Sequence, residues 1–324
     1  MKTATWTLTG LCSALHLMVD GLCLCCLYMV AERYGQSVLF PAFIAYNILA
    51  FLSQPFTGWL IDRMHRRHNM LLAADAFLAL ALLATAMAMT SANALAEQIG
   101  LCLMTVFLGV GNSCFHVWGG KIVAVRSKND MRHLGLFVST GVMGLALAIV
   151  FGAWPLAFGF LGGIILLSGI SMSLDFRLWH NDFPKNPKRK VPVAPIWAGI
   201  LLLGLVGFVV FRSFFSSSYT SYLGNARNMV LLVGIVSMCG KAAGGWLARV
   251  AGLVPTFALL IVAVLVCDFF AASGSQVMLT GLFLINCTMP ITLYLANILL
   301  PDREGLAFGI LAAALVPGLL MFVG

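Results

Sequence analysis

Residues 58–67 read Gly-Trp-Leu-Ile-Asp-Arg-Met-His-Arg-Arg, and they lie between two apolar runs at 37–61 and 70–90. A helix needs roughly 20 apolar residues to cross a hydrocarbon core about 30 Å thick, because each backbone amide must be satisfied within its own segment. Both runs are long enough. The decade between them therefore reads as a short polar loop at a membrane surface, in which Gly58 precedes Asp62 by one helical turn and three arginines follow.

The same test applied outward from this loop gives candidate spans at 6–31, 96–123, 133–152, 155–174, 196–222, 228–248, 252–271, 275–299 and 304–323, eleven with the first two. The chain has 324 residues, of which 61% are hydrophobic and only 9% charged. A soluble domain of that composition would expose apolar surface to water, so lipid is the expected solvent. The alternation of an outer-membrane barrel, in strands of roughly ten residues, is absent. The first span is too long for a cleavable signal peptide and carries Asp20 in its middle.

Of the 19 Lys and Arg residues, all but Arg33, Arg212 and Arg227 fall on the side of Lys2 when spans alternate. Basic residues are retained on the cytoplasmic side of short loops, which predicts a cytoplasmic N-terminus and a multi-pass protein of the cell inner (plasma) membrane. The net charge of +8 is explained by topology, and nucleic acid is not an expected partner. Nine cysteines, four of them (Cys12, Cys23, Cys25 and Cys26) in the first span, read as small apolar side chains facing lipid. No His or Cys stands at a zinc-finger spacing, and no metal or cofactor is expected.

The longest polar stretch, about Asp175 to Pro195, contains Asn186-Pro187-Lys188-Arg189-Lys190 and two further prolines. It divides the chain into a six-helix bundle at 1–174, a basic cytoplasmic linker at 175–195 and a five-helix bundle at 196–324. A short repeat crosses the division: Gly58-Trp59-Leu60 closes the second span and Gly245-Trp246-Leu247 closes the eighth. Parallel repeats with a site between them near the bilayer midplane are a transporter architecture.

Gly58, Asp62, Arg63, Arg66 and Arg67 resemble the major facilitator loop signature Gly-x-x-x-Asp-Arg-x-Gly-Arg-Arg, with His65 in place of the second glycine. The expected use is gating: Gly58 lets helices approach closely, Asp62 pairs with a cation or a helix N-terminus, and the arginines hold the cytoplasmic face. The resemblance implies an all-α membrane protein with two pseudo-symmetric bundles. Twelve spans are usual in that family, and about eleven are present, so a twelfth is expected to be missing from the chain or to follow it.

His16 and Asp20 stand one turn apart near the middle of the first span, and His116 lies in the fourth beside Asn112. Ionisable groups at such depth mark ion or proton pathways, so these three are the expected proton-coupling residues. His16-x-x-x-Asp20 together with Gly111-Asn112-x-x-Phe115-His116 looks like the fosmidomycin-resistance type of major facilitator. Phe211-Arg212-Ser213-Phe214 and the run from Leu300-Pro301 to Gly309 resemble its seventh helix and the loop before its eleventh. Lys121 stands where that type has arginine, and Val117 and Trp118 replace its proline and glutamate.

Asn112, His116, Lys121, Arg212, Ser213, Tyr219 and Asn286 are the expected substrate-binding residues, Arg212 suiting an anionic or hydroxylated solute unless it snorkels to the outer surface. Asn286, Thr288 and Pro290 predict a broken or bent tenth helix, cavity-lining or kinked toward lipid. The resemblance implies proton-coupled efflux of a small organic solute by a monomer. The fifth span lacks the Gly-Pro step of exporters, which leaves import open. A membrane enzyme using His116 as base needs a partner carboxylate that does not follow it in the fourth span; a sensor or assembly factor of the same fold predicts binding without flux.

Overall fold

The computed structural model describes residues 2–179 and 193–320, without the Lys2 side chain. Among these, no strand occurs. Nine helices are long and apolar enough to cross a membrane, and two shorter apolar ones at Leu253–Phe269 and Glu304–Leu319 bring the number to the eleven expected.

In chain order the first half consists of α1 (Lys2–Tyr34), α2 (Gln36–Asn47), a π-helical turn (Ile48–Leu52), α3 (Gln54–Arg63), α4 (His68–Thr90), α5 (Ala94–Arg126), α6 (Met131–Ser139), α7 (Gly141–Phe151) and α8 (Trp154–Trp179). The second half consists of α9 (Pro195–Leu223), α10 (Arg227–Ala251), α11 (Leu253–Phe269), α12 (Ser275–Cys287), α13 (Met289–Leu299), α14 (Glu304–Ala313) and α15 (Val316–Leu319). Helix α8 runs past residue 174, where the linker was expected to begin. Asp175 is fully buried and joined to Arg126, which holds that turn in the helix. Most of the expected linker, 180–192, lies outside the described residues.

Four spans are broken, and three of the breaks have one cause. A proline lacks the amide that would bond the carbonyl four residues earlier, and its ring crowds that carbonyl. Pro55, Pro290 and Pro317 follow the interruptions at Ser53, Thr288 and Ala314–Leu315. Pro290 is buried, so the expected break in the tenth span faces protein and not lipid. The fourth break, at Thr140, turns a hydroxyl toward α1, where it donates to the carbonyl of Ser13.

The outer surface carries large apolar residues such as Phe56, Leu83, Leu203, Val250 and Phe269, as a lipid-facing wall requires. Cys12, Cys23, Cys25 and Cys26 do not belong to it. They are fully buried where α1 packs into the core, which corrects the expectation that they face lipid.

The two halves meet through small residues. A side-chain carbon at Gly58 of α3 would run into the backbone of Gly305 on α14, and one at Gly245 of α10 would run into the backbone of Met131 on α6. Each copy of the Gly-Trp-Leu repeat thus places its glycine against a helix of the opposite half.

Candidate functional site

A polar centre lies where α1, α5 and the α6–α7 break converge. His16 and Asp20 project from one face of α1, while His116 and Asn112 project from α5. The facing Nε2 atoms of His16 and His116 are 2.9 Å apart. Asp20 spans the pair, with Oδ2 at 3.3 Å from His16 Nε2 and Oδ1 at 3.4 Å from His116 Nε2. Asn112 Nδ2 donates to Asp20 Oδ1 at 3.2 Å.

The other ring nitrogens decide the tautomers. His16 Nδ1 is 2.7 Å from the carbonyl of Phe137, and His116 Nδ1 is 2.9 Å from the carbonyl of Asn112. A carbonyl only accepts, so each Nδ1 carries the proton and donates. Both Nε2 atoms then present lone pairs to one another across 2.9 Å. Two lone pairs at that distance repel unless a cation lies between them or one carries a proton. The three side chains keep 7%, 14% and 6% of their surface for His16, Asp20 and His116, so the carboxylate is the most accessible member. Their ligand atoms lie within 4.8 Å of one another, a grouping that also suits a metal ion.

A second cluster closes the end of the molecule that bears the Asp62 loop. Asp62 Oδ1 and Oδ2 accept from the backbone amides of Gly305 and Leu306 at 3.0 and 2.9 Å, capping the N-terminal end of α14 from the other half. Lys121, buried on α5, pairs with Asp62 and lies 3.5 Å from Glu304. A carboxylate at a helix N-terminus satisfies amides that have no intrahelical partner and complements the helix dipole. Arg63 stacks its guanidinium 3.9 Å over Trp59, Arg66 is exposed, and Arg67 is half-buried. Burial pulls the Arg67 guanidinium below its ordinary pKa, against the opposing pull of Asp62 and Glu304.

On the same end, Asp130 caps α6 by accepting from the Arg132 amide at 3.0 Å. Partial burial opposes its ionisation, but the hydrogen-bonded Arg132 outweighs that and holds the carboxyl below the usual range. Arg126 makes a two-point contact with Asp175 at 2.7 and 2.9 Å, and His68 joins at 3.0 Å.

The expected substrate residues separate into different surroundings. Lys121 joins the Asp62 cluster. Arg212 is buried, donating from Nη1 to Thr292 Oγ1 at 3.1 Å, so it does not snorkel outward. Ser213 donates to the carbonyl of Leu315, which ties α9 to the C-terminal helices. Tyr219 donates to Asp268, and Asn286 donates to Leu282 within its own helix. Lys241 is half-buried on α10 and interacts electrostatically with both Arg212 and Asp20. Glu304 and Phe137 were missed because one contributes from the first turn of α14, far along the chain, and the other only through its carbonyl.

Two sets of helices clasped through facing glycines, the first of them holding a buried polar centre, define a polytopic α-helical membrane protein. A model of the Major Facilitator Superfamily matches residues 9–323, and the chain belongs to that superfamily. Solved structures with the same fold include a bacterial homologue of the iron transporter ferroportin in an outward-facing state, at TM-score 0.62 and 14% identity over 98% of this chain and 90% of that one. The human organic anion transporter MFSD10 aligns at TM-score 0.61 and 17% identity, covering 98% and 92%. A single-residue variant of the E. coli fucose:proton symporter FucP aligns at TM-score 0.58 and 17% identity, covering 98% and 96%. No curated protein matches the chain.

Proposed function

We propose that the protein is a secondary transporter of the fosmidomycin-resistance type, exporting a small polar or anionic organic solute by alternating access in exchange for protons. The observation that carries this reading is the His16–Asp20–His116 centre: a buried carboxylate joined to two imidazoles whose facing lone pairs have room for one proton. Groups of this kind deep in a membrane serve ion and proton pathways. Asp20 is hydrogen-bonded to α5, and His16 to the residue 137 carbonyl just before the α6–α7 break, so a change of protonation is felt by three helices.

Arg212 and Lys241, on the opposite half, supply positive charge for an anionic solute, and Asn112, hydrogen-bonded to Asp20, offers it a polar contact at the proton centre. Ser213, Tyr219 and Asn286 belong to the same half and shape the second wall. Gly58, Asp62, Arg63, Arg66 and Arg67 form the gate, with Asp62 as the latch on α14. The protein acts as a monomer in the inner membrane with its N-terminus in the cytoplasm, the orientation that the basic loops favour.

Proteoliposomes holding the purified protein, with an imposed pH gradient and a panel of radiolabelled anionic metabolites and phosphonates, test the reading. Gradient-driven flux is expected, with loss of pH dependence in Asp20→Asn and His116→Ala. Unchanged gradient response in both variants removes the coupling assignment, and uptake along the proton gradient replaces export by import.

A further inference from the structure

The geometry points to a divalent transition-metal site formed by His16 Nε2, His116 Nε2 and the Asp20 carboxylate, which we propose binds Zn2+, Fe2+ or Co2+ in place of the shared proton. The inference deepens the transport reading and rests on it in one respect: that this centre is the protein's cation site.

Metal–nitrogen and metal–oxygen bonds of about 2.0–2.2 Å set ligand atoms roughly 3 Å apart, toward the upper side in tetrahedral sites and the lower side in octahedral ones. The two facing nitrogens here are 2.9 Å apart, and they lie 3.3 and 3.4 Å from different oxygens of the Asp20 carboxylate, the spacing of a carboxylate that meets the ion through both oxygens. Two imidazoles and one carboxylate are a donor set suited to first-row divalent ions with positions left open.

The outer contacts have the form that metal-binding histidines require. Each ring donates from Nδ1 to a backbone carbonyl, which fixes the Nε2 lone pair toward the centre, and Asn112 holds the carboxylate. Two further observations are independent of the ligands. Gly141 brings its backbone so close to Asp20 Oδ2 and His16 Nε2 that any side-chain carbon there would collide with both. Asn112 Oδ1 is buried and has no hydrogen-bond partner, an orphaned acceptor that a hydrated ion would satisfy. A dication beside one carboxylate keeps a net positive charge, so an anionic oxygen donor is the favoured ligand at the open position.

The test is titration of the full-length protein, purified in detergent without a polyhistidine tag, with Zn2+ by calorimetry and Co2+ by visible absorption. One site per chain is expected, with d–d bands and no intense near-ultraviolet thiolate band. Affinity is expected to fall more than tenfold in His16→Gln and in His116→Gln, and also in Gly141→Ala, which keeps all three ligand residues but pushes Asp20 Oδ2 and His16 Nε2 out of position. Circular dichroism and the thermal midpoint of the metal-free variants establish that they are folded. Absence of one-site binding, a thiolate band, or affinity unchanged in folded variants overturns the metal site. Such a result beside intact pH-driven flux leaves the transport reading standing, whereas one-site binding with flux indifferent to pH removes the coupling and keeps the metal.

Discussion

Gly58 of α3 and Gly305 of α14 pack backbone to backbone across the two halves of the molecule, with no room for a side chain on either. Asp62, one turn beyond Gly58, reaches the amides of Gly305 and Leu306 only because the helices approach that closely. Introducing Gly58→Val forces the helices apart. Overpacking of this kind costs about 1–3 kcal/mol, so the clasped state is depopulated by roughly five- to 150-fold. Flux in proteoliposomes is expected to fall while helicity by circular dichroism stays at the wild-type level.

Lys121 neutralises the carboxylate that caps α14. Lys121→Met removes the cation paired directly with Asp62 and leaves the carboxylate with its two backbone donors, a change expected to cost about 3 kcal/mol. The thermal midpoint in detergent reports it. Lys121→Arg, which keeps the charge, is expected to retain most of the stability.

Arg126 and Asp175 form a buried pair inside the first half, with His68 as a third member. Either Arg126→Leu or Asp175→Leu alone strands a buried charge and is expected to cost about 3–5 kcal/mol. The double variant is expected to be more stable than either single one. Thermal unfolding of the four proteins measures the coupling, and additive losses would remove it.

Asp130 has a depressed folded pKa, so the stability it contributes is present above the unfolded carboxyl's pKa of about 4 and is lost as pH falls through the lower folded value. Asp130→Ala is expected to cost about 1 kcal/mol as a lost helix cap. The wild-type and variant thermal midpoints should therefore converge in acid and differ most near neutrality.

Arg212 gives the second half a buried guanidinium with one hydrogen bond to Thr292. If an anionic solute uses its remaining donors, Arg212→Lys keeps the charge but loses the planar fork. Solute KM is expected to rise by roughly 10- to 150-fold, as loss of a charged hydrogen bond worth about 1.5–3 kcal/mol implies. An unchanged KM places the solute elsewhere.

Much of this molecule is written along the chain. Membrane class and the number of spans follow from the length of apolar runs, since lipid tests each segment by itself. The breaks at Pro55, Pro290 and Pro317 are local too, because each proline acts on a carbonyl four residues away. The Gly-Asp spacing of residues 58 and 62 and the one-turn spacing of His16 and Asp20 are equally local: Gly58 and Asp62 meet α14 together, and His16 and Asp20 share one face of α1.

What the chain could not display is which helices meet. His16 and Asp20 of the first span and Asn112 and His116 of the fourth became one centre because α1 packs on α5, and the partner carboxylate that His116 lacked within its own span came from Asp20. Lys121 pairs with Asp62 and Arg212 turns inward for the same reason. A buried charge takes whatever partner the neighbouring helix presents, and helix packing is a property of facing surfaces far apart in sequence. Hydropathy determined that these segments cross a membrane; only their packing decided that two imidazoles and a carboxylate share one small space.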